Sequence, residues 1–169
     1  MKYLISGGVV FIGSNIAEKL IKEGHSVRVL DDFSAGKEEN LDFAKGLGND
    51  RFELIRGNII DAAACERACE GVDYVLHQAG LKSVPKSLLE PKNYNDVNIN
   101  GMLFLLQAAA KYKVKRFVFA SSSSVYGNTD KFPQKEEHLP LLMSPYALSK
   151  LAGEYYCRIF SEHFGVETV

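Results

Sequence analysis

Neither sign of charge dominates this sequence: 20 Lys and Arg stand against 21 Asp and Glu, a formal net charge of −1. It lacks the basic excess that would point to nucleic acid, and no basic tail points to an anionic membrane. Apolar residues make up 46% of the chain, but none of their runs is long enough to span a bilayer. The first of them, Tyr3–Ile5, is too short for a signal peptide. The three cysteines cannot all pair with one another, which points to a reducing, cytoplasmic setting. Cys65 and Cys69 are four apart and would share a helix face, but no further ligands gather near them. The expectation is two partly buried thiols and no metal site. There is no internal repeat and no low-complexity linker, and 169 residues suffice for one domain with one sizeable core.

What is present is an alternation of strands and helices. Lys2–Ser6 reads as a buried strand running into glycines. Apolar residues at 12, 16, 20 and 21 predict a helix over Ile12–Glu23, with Gly24 just past its end. His25–Leu30, Phe52–Arg56, Asp73–His77 and Arg116–Ala120 read as further strands, and Ala62–Glu70 as a short helix. Ile99, Leu103, Leu106 and Ala110 predict a long helix over Asp96–Tyr112. A second long helix is expected over Pro145–Phe164, closed by Gly165, before Glu167–Val169 begins a sixth strand. Strands alternating with helices predict an α/β fold, a Rossmann-like doubly wound parallel sheet with helices on both faces. Ligands of such sheets bind beyond the carboxyl ends of the strands, so the residues just after each strand are the candidates.

After the first strand comes Ser6-Gly7-Gly8-Val9-Val10-Phe11-Ile12-Gly13. A strand, a glycine turn and a helix start make an anion site, with backbone N–H groups and the positive helix end facing a pyrophosphate. Asp31 ends the second strand eighteen residues past Gly13, near the spacing of an acid that binds both ribose hydroxyls. Such a carboxylate repels a 2′-phosphate, so NAD is expected over NADP; Asp32 could play either part. Asn58 follows the third strand and could meet the adenine. Ala79 and Gly80 follow the fourth, where close-approaching backbone can meet the nicotinamide ribose, and Lys82 lies just beyond.

Of eight tyrosines, only Tyr146 has a lysine four residues later, Lys150, on the same face of a predicted helix. A free phenol is a poor base at neutral pH. An adjacent ammonium and a positive nicotinamide ring would favour the phenolate, which could take a proton while hydride leaves the same carbon. Ser121–Ser124 follows the fifth strand, where a hydroxyl can hold the substrate oxygen. Of the histidines, His77 ends a strand and is expected to be a bonded structural side chain.

Taken together, Ser6-Gly7-Gly8…Phe11-Ile12-Gly13, Val29-Leu30-Asp31-Asp32-Phe33-Ser34, His77-Gln78-Ala79-Gly80, Asn98, Ser121–Ser124-Val125-Tyr126-Gly127 and Ser144-Pro145-Tyr146…Lys150 resemble the extended short-chain dehydrogenase/reductases. Within these they are similar to the nucleotide-sugar 4-epimerases, over essentially the whole chain. The resemblance implies NAD as cofactor, held by Gly7, Gly8, Phe11, Ile12 and Gly13, by Asp31, Asp32 and Ser34, and by Asn58 and Ile59. It adds Ala79, Gly80, Lys82, Asn98, Tyr146 and Lys150. It implies hydride abstraction from C4 of a UDP-sugar, rotation of the 4-keto sugar, and return of the hydride to its other face. Tyr146 would be the base, Lys150 its partner, and Ser122 the holder of the substrate hydroxyl. It also implies a homodimer built on the two long helices, whose second carries Leu148, Leu151, Tyr155 and Ile159. Sugar dehydratases of the same group carry Asp-Glu after the catalytic Ser/Thr; here those positions are Ser123 and Ser124.

Three departures stand out. Val10 occupies the place of the middle glycine, where a β-branched side chain would crowd the pyrophosphate or shift the loop. Asn58 replaces the usual Asp. The chain stops where the resemblance places its sixth strand, so the expectation is a truncated chain: one NAD-binding domain over residues 1–169, without the domain that grips the uridine diphosphate, and inactive alone. The competing readings are a non-catalytic NAD-binding or dimerisation module, and an oxidoreductase acting on a small alcohol.

Overall fold

The structure is a computed structural model that describes residues 1–47 and 50–169. Strand β1 (Lys2–Ser6) is followed by α1 (Phe11–Lys22), β2 (Ser26–Asp31), a 3-10 turn (Glu38–Ala44), β3 (Phe52–Arg56), α2 (Ala62–Cys69) and β4 (Tyr74–His77). Then come α3 (Val84–Leu89), α4 (Pro91–Asn95), a π turn (Asp96–Asn100), α5 (Gly101–Lys111), β5 (Arg116–Phe119), a 3-10 turn (Ser123–Tyr126), α6 (Pro145–His163) and β6 (Glu167–Thr168). The strands form one sheet in the order β3-β2-β1-β4-β5-β6, all parallel. The order reverses between β1 and β4, which opens a crevice at their carboxyl ends.

Side chains alternate across a strand, and both faces of this sheet are covered. Leu4, Leu30, Val75 and Phe117 pack beneath α2, α5 and α6 in the larger core. Ile5, Val27 and Val29 pack against Ala17 and Ile21 of α1 in the smaller one. Cys65 and Cys69 lie on the buried face of α2, where burial pushes both thiols up to about 12.

Helix entries are marked by side chains that accept orphan amides. Asp61 accepts from Ala63 at 3.0 Å, Ser83 from Lys86 at 3.3 Å and Ser144 from Ala147 at 3.1 Å. The entry to α1 differs: its N-cap is Val10, whose side chain accepts nothing. The helix expected from Asp96 instead begins at Pro91 and runs through the π turn. Proline is tolerated in the first turn of a helix, where its missing N–H is an orphan anyway.

Candidate active site

A cleft lies beyond the carboxyl ends of β1 to β4. Gly7, Val10, Asp31, Asp32, Ser34, Asn58, Ile59, Ala79 and Gly80 all line it. Gly7 has φ +75°, and a Cβ on it would stand 2.7 Å from the Ala79 nitrogen. A methyl on Gly13 would run into the Gly7 carbonyl oxygen. The loop therefore lies as close to β4 and to its own helix as backbone allows.

Asp31 ties this loop to β2. Its carboxylate accepts the Val9 N–H at 3.0 Å and the Phe33 N–H at 2.8 Å. Burial raises its pKa above the ordinary carboxylate value, opposed by those two donors. Asp32 is exposed; it accepts the Ser34 N–H at 2.9 Å and the Asn58 amide at 2.7 Å.

On the other side, α6 delivers Lys150. Its ammonium is buried, donates to the Ala120 carbonyl at 2.8 Å, and lies 4.8 Å from the Phe119 ring centroid and 5.9 Å from that of Tyr146. Burial holds its pKa down to about 8. A Cβ on Gly80 would stand 3.9 Å from this nitrogen, so Lys150 reaches the cleft wall. Asn98, buried in the π turn, accepts the Leu81 N–H at 2.8 Å and donates to the Leu81 carbonyl and Ser149 Oγ, both at 3.0 Å. Ser149 in turn donates to the Tyr146 carbonyl at 2.7 Å. One asparagine thus fixes the loop after β4 to the first turn of α6. Ser122 lies at the end of the loop after β5, its Oγ accepting the Ser124 N–H at 3.2 Å. His77 pairs through Nδ1 with Ser6 Oγ at 2.6 Å and stacks on Phe119.

The profile of the NAD dependent epimerase/dehydratase family matches residues 3–169. The chain belongs to this family. A putative UDP-glucose 4-epimerase of Methanocaldococcus jannaschii is 34% identical over 166 residues, 97% of this chain and 52% of the relative. A UDP-glucose 4-epimerase of Neisseria meningitidis serogroup C is 38% identical over 164 residues, 95% of this chain and 48% of the relative. The chain thus spans about half the length of these relatives. Among solved structures, the UDP-glucose 4-epimerase of Thermus thermophilus, in complex with NAD, has a TM-score of 0.90 at 37% identity, covering 99% of this chain and 53% of that one. The dTDP-glucose 4,6-dehydratase DesIV of Streptomyces venezuelae reaches 0.92 at 30% identity in its double-mutant form, covering 99% and 54%.

Of the family's expected cofactor residues, Gly7, Asp31, Asp32, Ser34, Asn58, Ile59, Ala79 and Gly80 line the cleft. Gly8 packs against the Val29 methyls and Gly13 against Gly7, shaping the loop from behind. Phe11 and Ile12, the first two residues of α1, have exposed side chains and do not line the cleft. Lys82 is exposed, and Asn98 acts through the loop it holds. Gln78, Leu81 and Val97 also line the cleft. Gln78 and Leu81 border the expected Ala79 and Gly80; Val97 is brought in by the π turn, which the apolar spacing does not announce.

Proposed function

We propose that this chain is the cofactor-binding half of an enzyme that inverts C4 of a UDP-sugar, with NAD as resident cofactor. The observation that carries the reading is the position of Lys150: its buried ammonium reaches the cleft wall at Gly80, with the Tyr146 ring beside it. The cleft fits a dinucleotide on structural grounds: the glycine loop packs against β4 and its own helix too closely for a Cβ at Gly7 or Gly13, and Asp31 lines the same cleft.

In this reading the loop amides from Gly7 to Gly13 face the pyrophosphate. Asp31 and Asp32 accept the adenosine ribose hydroxyls, and Asn58 and Ile59 flank the adenine. Ala79, Gly80 and Lys150 hold the nicotinamide ribose. When bound, the cofactor supplies a hydride acceptor that can return the hydride. Tyr146 takes the proton from the C4 hydroxyl, with the Lys150 charge beside it. Ser122 holds the substrate oxygen: accepting from Ser124 uses one lone pair and leaves its proton to donate. Elimination chemistry is disfavoured because Ser123 and Ser124 follow Ser122 and neither is an acid.

NADH fluorescence titration of the 169-residue chain, carried to millimolar ligand, tests the reading. Binding is expected, weakened about tenfold or more in Lys150→Met, the order expected for loss of a charge-assisted hydrogen bond. An unchanged Lys150→Met titration overturns it.

A further inference from the structure

The cradle after β1 contains one side chain where the backbone does not require glycine and the ligand would prefer it. Val10 lines the same cleft as Ala79 and Gly80. Its φ of −91° and ψ of 169° are ordinary extended backbone, so the position holds valine without strain. The preceding residue is held in place. Residue 9 is pinned from three sides: Asp31 takes its N–H at 3.0 Å, the Asn40 amide donates to its carbonyl at 2.7 Å, and a Cβ on Gly36 would stand 2.5 Å from that same carbonyl oxygen. The Val10 carbonyl already accepts the Ser14 N–H at 2.9 Å as the first bond of α1. With both neighbours fixed, the Cβ direction is fixed, and a β-branched side chain has little freedom about χ1 to move aside. The Val10 side chain also caps none of the first amides of α1.

From this geometry we infer that Val10 sets the affinity of the cleft for the phosphates of its cofactor, an inference that rests on the reading of the cleft as a dinucleotide site. The isopropyl group lines the cleft at the start of α1, the helix end whose amides would meet the pyrophosphate. It keeps the phosphates from the unused amides while leaving the adenosine end, at Asp31, Asp32 and Asn58, untouched. The cleft therefore holds the adenosine end unaltered and the pyrophosphate more weakly than glycine at position 10 would allow.

The test is a set of titrations on the 169-residue chain, wild type, Val10→Ala and Val10→Gly, with NADH, ADP-ribose and adenosine, alongside circular dichroism and urea unfolding. NADH and ADP-ribose, which both carry the pyrophosphate, are expected to bind at least tenfold tighter to Val10→Gly. Val10→Ala should fall between, because it removes two methyl groups without adding glycine's flexibility. Adenosine is expected to bind all three alike. Equal NADH affinity across the three proteins overturns the inference and leaves the cofactor reading standing. A gain for adenosine equal to that for NADH also overturns it, since the effect would then be general loosening. If folded chains of all three bind neither NADH nor adenosine, both the inference and the cofactor reading fall.

Discussion

His77 shows what a single buried titratable group does here. It is sealed among Ser6, Phe117 and Phe119, and burial, aided by the nearby Lys150 charge, lowers its pKa to about 3. The unfolded chain takes up this proton near pH ~6.5. Stability from neutral His77 is therefore fully present above that pH and is lost as pH falls toward 3. Wild-type unfolding free energy is expected to drop between pH 7 and pH 4 by on the order of 3 kcal/mol more than that of His77→Gln, as read from urea midpoints. Lys150 works the other way at neutral pH. Its ammonium is buried at a cost that persists below about pH 8 and lifts as pH rises toward the free-lysine value. A cleft that keeps this lysine charged does so against its own stability, a common mark of a working site.

Elements are joined by bonds that sequence patterning hides. Arg28, inside a run of buried strand residues, donates Nε to Glu53 at 2.8 Å and Nη1 to the carbonyls of Arg67, Ala68 and Glu70 at 3.1, 2.8 and 2.6 Å. It serves as the C-terminal cap of α2, whose last carbonyls have no partner within the helix. Arg28→Met is expected to lower stability by about 2–4 kcal/mol in urea unfolding. Arg28→Lys should recover only part of this, because an ammonium cannot reproduce the planar fork. Nothing in the spacing announces this cap, whereas β1 and β3 were legible to the residue because apolar runs ending in turns mark buried strands. The glycine loop, Asp31 and the Tyr146–Lys150 spacing were legible for the same local reason. Helix α3 was not, because Pro85 reads as a break, although it occupies the first turn behind the Ser83 cap. The π turn was not legible either: it interrupts the 3.6-residue period and turns Val97 toward the cleft. The partner that Asn98 finds in Leu81 is likewise set by tertiary placement.

At the scale of the whole molecule, the outer face of α6 is more apolar than a free surface requires. Leu148, Tyr155 and Ile159 are 52%, 58% and 43% exposed, and Leu88 and Leu89 of the neighbouring α3 are 61% and 82% exposed. Apolar surface gathered in this way marks an association site. We propose that two copies pair through it. Sedimentation at tens of micromolar is expected to give a dimer, and Leu148→Glu combined with Ile159→Glu a folded monomer; a wild-type monomer would refute the pairing. No helix among the described residues is long and apolar enough to cross a membrane.

The stretch between the serine turn and α6 returns to its own starting point. The Leu141 N–H donates to the Val125 carbonyl at 2.9 Å, and Gly127 sits so close to the Leu141 carbonyl that no side chain would fit between them. Such a neck fixes both ends of the loop, and lengthening a closed loop costs only about 0.6 kcal/mol per doubling. Residues 128–140 therefore make a natural port for a fluorescent label or an affinity peptide that leaves Ser122 where it is.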